Sequence, residues 1–212
     1  MELNTFIQKV QGFPVVDMRV FLPAERNSLS LKVQISRWVK SGKLIQLKRG
    51  LYLLAEPYRK ISPQEFFIAG ALKAPSYVSL EKALEYHGLI PEAVSVYTSV
   101  TTKRTETLDT SIGRYDYQHV KPSLFWGYTS ATVEGQTFFM AEPEKALLDL
   151  FYLQHIKVTA DYLAEMRLQN VGHIKSNKLL LYARRFQKKN LVQAAKLVAE
   201  YVQRELKGVK RL

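Results

Sequence analysis

The sequence predicts an α+β protein, because stretches with helical periodicity are interspersed with stretches typical of β-strands. Between Ser28 and Ala55, a helical pattern is followed at once by two short strand patterns around a glycine-containing turn. Between Val94 and Met140, runs rich in Val, Thr, Tyr and Phe indicate further strands, and most of the later chain is helical in pattern. We therefore expect an N-terminal winged helix-turn-helix, followed by a mixed α/β domain with a helical C-terminal tail.

The helix of the first stretch is marked by an apolar stripe. Leu31, Ile35, Trp38 and Val39 recur at i, i+4, i+7 and i+8, which places them on one face of a helix. Gly42 lies where this helix must end, because glycine adopts the left-handed conformation without a steric penalty. The pattern thus predicts a helix that buries one side and ends immediately before the strands.

Two strands after this helix are predicted to form a β-hairpin, with Gly50 allowing a positive φ in the turn. A helix over residues 1–12, an extended segment over 13–16 and a short helix and turn precede it. The order of helix, strand, helix, helix and hairpin is that of a winged helix-turn-helix, in which the last helix enters the major groove and the hairpin is the wing. The predicted ranges of the short helix, turn and two strands are Met18–Leu22, Pro23–Asn27, Lys43–Leu47 and Leu51–Ala55.

The outer face of the predicted recognition helix, together with the hairpin, carries residue types that contact DNA. Long cations bind phosphates, whereas amides, hydroxyls and small apolar groups meet base edges. A solvated face would explain these residues on a lone helix, but the adjoining basic hairpin favours DNA binding. The candidate DNA-binding residues are Ser30, Val33, Gln34, Arg37, Lys40, Lys43, Lys48 and Arg49.

Charge is distributed unevenly along the 212 residues, whose formal net charge is +12. Residues 1–60 contain 11 Lys and Arg against 4 Asp and Glu, and residues 167–212 contain 12 against 2. The segment between them contains 8 against 13. Basic segments attract nucleic acid by releasing counterions from phosphates, so both ends favour such a partner. Solvated amphipathic helices are the alternative explanation for the C-terminal segment.

Several classes of protein are disfavoured by what the sequence lacks. Without cysteine, it can form neither disulfides nor a thiolate zinc site. We expect a cytoplasmic protein without membrane contact, because no signal-peptide pattern and no apolar run of about 18 residues is present. We also expect no enzymatic activity, no cofactor and no metal, because the histidines are scattered and phosphate-loop and nucleophile-elbow motifs are missing. Residues Glu142–Lys145 faintly resemble a nuclease carboxylate–lysine site, but the start of a helix explains them better.

A domain boundary is predicted at Glu56–Lys60, where proline and charge interrupt the apolar pattern. It separates a domain over residues 1–58 from a second domain over residues 62–212. Ser62 is the expected N-cap of the first helix of this second domain. Its strands should form an antiparallel or mixed sheet over Val94–Thr101, Arg114–Val120, Leu124–Thr129 and Gln136–Met140, followed by helices.

Four stretches in order are RGLY at Arg49–Tyr52, YVSLEKALEYHGLI at Tyr77–Ile90, YTSVT at Tyr97–Thr101 and AEPEKALLDL at Ala141–Leu150. Together they resemble the AbiEi-type antitoxins of type IV toxin–antitoxin systems, over roughly residues 13–155. The resemblance implies a non-enzymatic protein whose winged helix represses its own promoter by binding repeats in double-stranded DNA. It also implies a second domain that neutralises a nucleotidyltransferase-like toxin, in several cases without a stable complex.

The helical tail after His155 matches this family only weakly, so its role stays open. Its cations could contact RNA or the toxin, and the neighbouring Tyr182 and Phe186 could stack on bases or pack in a helical core. The second hypothesis for the whole chain is a stand-alone winged-helix regulator with a ligand- or RNA-binding second domain. A toxin gene immediately downstream would favour the first hypothesis. The possible antitoxin-surface residues are Arg184, Arg185, Lys188 and Lys189.

Overall fold

A computed structural model describes residues 1–21 and 28–209, which form an α+β structure with two β-sheets. The first sheet is antiparallel and has the strand order β1-β3-β2. Most of the predicted N-terminal order is confirmed, but the predicted turn over Pro23–Asn27 and the end of the predicted helix Met18–Leu22 lie outside the described residues. The N-terminal elements are α1 (Leu3–Val10), β1 (Val16–Asp17), α2 (Met18–Phe21), α3 (Ser28–Lys40), β2 (Leu44–Lys48) and β3 (Leu51–Leu54).

The predicted apolar stripe of α3 packs into a small core with α1. Leu31, Ile35 and Trp38 are buried, and the Trp38 ring lies 5.0 Å from the ring of Phe6, measured between centroids. Gly42 and Gly50 have φ values of +69° and +85°, so both adopt the left-handed conformation that the sequence predicted. The first allows the chain to leave α3, and the second closes the β2–β3 hairpin.

The second sheet has six strands in the order β6-β7-β5-β4-β9-β8 and is mixed, because β5 pairs with β7 and β4 with β9 in parallel. Helix α4 packs on β4, β5 and β9. The sheet and its first two helices are α4 (Glu65–Leu72), β4 (Ser76–Val78), α5 (Leu80–Tyr86), β5 (Val96–Thr101), β6 (Glu106–Thr110), β7 (Gly113–His119), β8 (Tyr128–Val133) and β9 (Gln136–Ala141).

The helical C-terminal part packs around one buried helix. Helix α6 contacts α5 within the sheet region and α8 and α9 in the tail. None of the helices among residues 1–21 and 28–209 is both long enough and apolar enough to cross a membrane. The last four helices are α6 (Pro143–Leu153), α7 (Ala160–Glu165), α8 (Ser176–Arg185) and α9 (Lys189–Val209).

Three details differ from the sequence prediction. Strand β6 was not predicted, and the chain forms a 3₁₀ turn at Pro122–Leu124 where a strand was expected to begin. The predicted N-cap at Ser62 is wrong, because the cap position of α4 is Gln64 and no side chain caps it.

The two predicted domains share packed apolar surface. Leu47, Leu51 and Leu53 of the N-terminal hairpin are buried in the large core that also contains Leu72 and the residues of the second sheet. A separate small core around Phe6 contains other N-terminal side chains, including Leu44 and Leu54 of the hairpin. The hairpin therefore belongs to both halves of the molecule.

Candidate nucleic-acid interface

Helix α3 presents a broad solvent-facing surface opposite its buried stripe. Ser30, Val33, Arg37 and Lys40 are exposed, and Gln34 is partly buried on the flank. The five candidate residues predicted on this helix therefore lie on its open side or at its edge. Val33 is 53% exposed and adds an apolar side chain to this surface.

The hairpin places its three predicted cations in different surroundings. Arg49 is exposed in the β2–β3 turn, and Lys43 is partly buried where the chain passes from α3 into β2. Lys48 is also partly buried, and its ammonium donates a hydrogen bond to the carbonyl oxygen of Leu72. Burial is the main reason that the pKa of Lys48 lies below its usual value. Among these three side chains, Arg49 has the geometry best suited to reach a phosphate.

A groove of about 570 Å³ separates α3 from the hairpin. Lys32, Ser36 and Lys40 line it from the helix, and Gln46 and Arg49 line it from the hairpin. The i, i+4, i+8 spacing of the helical residues predicts this row, which lies beside the surface of α3 that carries Val33 and Arg37. Lys32, Ser36 and Gln46 are therefore additional candidate contacts.

The electrostatics of this region favour an anionic partner. Residues 28–55 contain six Lys and Arg and no Asp or Glu. Asp17 lies on the neighbouring strand β1, and its carboxylate forms an ion pair with Arg19 at 2.5 Å. The hydrogen bond from Arg19 is the main reason that the pKa of Asp17 lies below its usual value. The nearby carboxylate is thus already paired and does not cancel the charge of the groove.

A second group of polar residues lies in the large core, at a position where the sequence predicted only the start of a helix. The ammonium of Lys145 forms an ion pair with Asp149 one turn later on α6, and both side chains are fully buried. Lys145 also donates to the hydroxyl of Tyr77 at 2.7 Å. The Tyr77 hydroxyl donates to Asp149 at 3.0 Å, and the Ser79 hydroxyl does so at 2.8 Å.

Aromatic rings surround this buried ammonium. Its Nζ lies 5.1 Å from the ring centres of Trp126 and Phe186 and 5.3 Å from that of Tyr77. Burial lowers the pKa of Lys145 and raises that of Asp149, because both charged forms are removed from water. Because neither ionic side chain is accessible to solvent, we interpret this network as a structural element that joins α6 to the sheet.

The four possible antitoxin-surface residues do not form one uniform patch. Arg184, Lys188 and Lys189 are exposed and line a shallow groove of about 370 Å³, together with Lys196. The guanidinium of Arg185 instead lies 4.2 Å from the ring centre of Trp126, over the aromatic cage of Lys145. Arg185 is thus also exposed, but its guanidinium is stacked on Trp126, unlike the charged groups of the other three cations.

Within the described ranges, no group of three or more His, Asp or Glu side chains is placed to hold a metal ion. Neither a known protein-family model nor a curated protein matches this sequence.

Proposed function

We propose that the chain is a non-enzymatic DNA-binding autorepressor and antitoxin of a type IV toxin–antitoxin system. The single observation that carries the DNA-binding role is the groove between α3 and the β2–β3 hairpin. Among the described residues that line it, the charged ones are Lys32, Lys40 and Arg49, all of them cations. Binding to the phosphate backbone of DNA requires exposed cationic side chains such as these, next to the helix that enters the groove.

In this proposal residues 1–58 act as a winged helix-turn-helix on double-stranded DNA. Helix α3 has 13 residues and is roughly 20 Å long. An α-helix is about 10–12 Å across with its side chains, which fits a major groove about 12 Å wide. Arg37 and Gln34 would then read base edges, whereas Lys32, Lys40 and Arg49 would contact the flanking phosphates. The hairpin serves as the wing, and its position relative to α3 is fixed by Leu44 and Leu54, which are buried with the apolar stripe of α3 in the small core.

The test is a gel shift of the full-length protein on the DNA immediately upstream of its own gene. We expect a discrete complex that resists competition by unrelated duplex of the same length. Affinity should fall steeply with salt, because each phosphate contact releases about one counterion. If unrelated duplex competes equally well, the protein binds DNA without sequence preference, and the autorepressor assignment fails.

The antitoxin role is supported by the sequence resemblance and by where its motifs lie in the fold. Tyr77 and Ser79 come from one of the matching stretches, and Lys145 and Asp149 come from another. All four meet in the same buried network. These residues of the matching stretches are therefore buried and hold the second half together. We assign protection from the toxin to exposed residues instead. If a toxin gene lies immediately downstream, its co-expression with this chain tests the role through cell survival.

One observation favours the second hypothesis, a stand-alone regulator whose second half binds a ligand. A cleft of about 880 Å³ opens between the second sheet and helices α5, α6 and α7. This volume is within the range typical of small-molecule sites, roughly 300–1,000 Å³. Promoter repression together with no protection from the toxin would support this hypothesis over the antitoxin.

A further inference from the structure

The cleft beside the second sheet shares no lining residue with the candidate DNA interface or with the basic groove at α8 and α9. Its floor is apolar and is formed by the buried side chains of Leu80, Leu84 and Leu150. Leu153 and the ring of Tyr162, both partly buried, extend this floor towards the opening. The floor can therefore accept an apolar body of several carbon atoms.

One wall of the cleft is the open face of strands β5, β7 and β6. Thr98, Asp116 and Thr107 are paired in register across these three strands, so their side chains project from the same face. The hydroxyl of Thr107 donates to one oxygen of Asp116 at 2.7 Å, and the amide of Gln118 donates to the other at 2.8 Å. These neutral donors fix the carboxylate in position and leave its negative charge uncompensated.

The helical side of the cleft supplies a second carboxylate, Glu81 on α5. One of its oxygens accepts a hydrogen bond from the amide of Gln154. The other, Oε2, is shielded from solvent and has no hydrogen-bond partner in the structure. An enclosed carboxylate oxygen without a donor is energetically unfavourable, so rotation of the Glu81 carboxylate towards an N–H group in the cleft would be favoured.

The charge of the cleft is opposite to that of the protein as a whole. Among the residues that the structure describes, the charged ones lining it are Glu81, Glu92, Asp116, Glu165 and Arg114. Glu92 is ion-paired with Arg167 and Arg114 with Asp109, so the other three carboxylates set the local charge. Within residues 1–21 and 28–209, neither Glu81 nor Asp116 forms an ion pair with a Lys, Arg or His side chain. The chain carries a net charge of +12, so a cation is attracted here only by these local carboxylates.

We propose that this cleft binds a small organic cation, namely a primary ammonium attached to an alkyl or aryl body. The apolar floor around Leu84 accommodates the body, and the ammonium lies between Glu81 and Asp116. A neutral ligand of the same shape would leave the carboxylates uncompensated, and an anion would be repelled. This site is separate from the proposed DNA interface and does not depend on it.

The experiment is a titration of the full-length protein with three probes of equal shape: phenethylammonium, phenethyl alcohol and phenylacetate. Calorimetry gives the affinity, and two-dimensional NMR gives the residues whose signals shift. We expect saturable binding of phenethylammonium alone, with shifts at Leu84, Thr98 and Tyr162. Equal binding of the alcohol or of phenylacetate, or no saturation by the ammonium probe at millimolar concentrations, would overturn the proposal.

Isosteric variants test which carboxylates of the cleft the ammonium ligand requires. Glu81→Gln and Asp116→Asn should each weaken phenethylammonium binding about tenfold or more, as expected for loss of a charge-assisted hydrogen bond. Glu200→Gln removes the same charge from an exposed position on α9 and should leave the affinity unchanged.

Unchanged affinity in the Glu81→Gln/Asp116→Asn double variant would also overturn the proposal, provided that its NMR spectrum shows a folded protein. If a lysine-rich peptide binds in this cleft while phenethylammonium does not, the surface docks a macromolecule, and the small-molecule assignment is wrong. A gel shift on the same variants measures DNA binding separately. The two proposals can therefore fail independently.

Discussion

Lys48 on β2 donates a hydrogen bond from its ammonium to the carbonyl oxygen of Leu72, the last residue of α4. This bond fastens the N-terminal hairpin to the second half of the molecule, next to the packing of Leu51 and Leu53 in the large core. The sequence predicted Lys48 and Arg49 as equivalent DNA contacts at the hairpin tip. Their surroundings make them different, because Lys48 has an internal acceptor and Arg49 faces solvent.

The first prediction separates these two cations by the salt dependence of DNA binding. Arg49→Ala should reduce the log–log slope of affinity against salt by about one unit, as expected for the loss of one phosphate contact. Lys48→Ala should leave the slope unchanged and lower the free energy of unfolding by about 1 kcal/mol, because its bond is internal. Fluorescence anisotropy and urea unfolding measure these quantities. A smaller slope for Lys48→Ala would place that side chain on the DNA.

The second prediction concerns the recognition helix. Arg37→Ala should weaken binding to the upstream DNA by about 1–3 kcal/mol, because an exposed arginine on this face can bond to a base edge or a phosphate. Lys157→Ala removes the same charge from an exposed site in the second half and is the matched control. Trp38→Ala should instead unfold the small core. Parental affinity in a folded Arg37→Ala protein would exclude Arg37 as a contact.

The third prediction tests the buried pair on α6. Asp149→Asn should lower the free energy of unfolding by about 3–5 kcal/mol, because it leaves the buried Lys145 ammonium without its counter-charge. The double variant Lys145→Met/Asp149→Leu should be more stable than Asp149→Asn, because no unpaired charge remains in the core. Urea unfolding of the single and double variants measures both effects. A double variant no more stable than Asp149→Asn would contradict the cost assigned to the unpaired ammonium.

Local sequence signals were sufficient where an element carries its own pattern. The stripe of α3 and the glycines at its end and in the hairpin turn predicted these elements nearly to the residue. Strand β6 was missed because ETLDT is an exposed edge strand without apolar alternation. It is recognisable only through its pairing with β7, which local periodicity does not encode.

The site residues were harder to predict than the fold, for a similar reason. In the sequence, Lys145 and Asp149 resemble an acidic helix start and its amphipathic continuation. Their partners Tyr77 and Ser79 are 68 and 70 residues away, so the network between them is not visible in the local pattern. The surroundings of Arg185 differ from those of the other tail cations because of another distant residue, Trp126. Conversely, Lys32 and Ser36 could have been predicted from helical spacing. They were missed because the predicted contact surface was centred on the adjacent row of α3 residues.

The fourth prediction is a pH dependence at the junction of α6 and α8. Glu142 accepts hydrogen bonds from Lys178 at 2.7 Å and from Tyr182 at 2.5 Å. Burial alone would raise the pKa of Glu142, but these two bonds outweigh it, and the pKa lies below its ordinary value of 4.5. The bonds therefore stabilise the fold above about pH 4.5, and this contribution is lost as the pH falls through the lowered pKa.

Glu142→Gln should accordingly lower the free energy of unfolding by about 1 kcal/mol at pH 7, and the difference from the parent should shrink towards acid pH. Urea unfolding at a series of pH values measures this difference. Glu200→Gln, which changes an exposed glutamate on α9, should track the parent at every pH. A loss for Glu142→Gln that is constant with pH would assign the effect to packing and not to the charged carboxylate.

The last prediction separates repression from protection. It is best tested in the full chain, because residues 62–212 alone would expose the core surface that Leu47, Leu51 and Leu53 cover. The Arg37→Ala/Arg49→Ala variant should lose promoter repression and still protect cells from the toxin. Replacing Arg184, Lys188 and Lys189 by Ser should have the opposite effect, because it removes the exposed cations of the tail and leaves α3 intact.

Reporter expression and survival after toxin induction measure the two functions in the same strains. Arg185 is kept in the tail variant, because its stacking on Trp126 would otherwise confuse a surface effect with loss of packing. Arg185→Ser serves as a separate variant, and its loss of stability should exceed that of Arg184→Ser. Full protection by the folded tail variant would mean that these cations are simply solvated. If Arg37→Ala/Arg49→Ala abolishes protection as well, the toxin is controlled only through the promoter, and the second half has no antitoxin activity of its own.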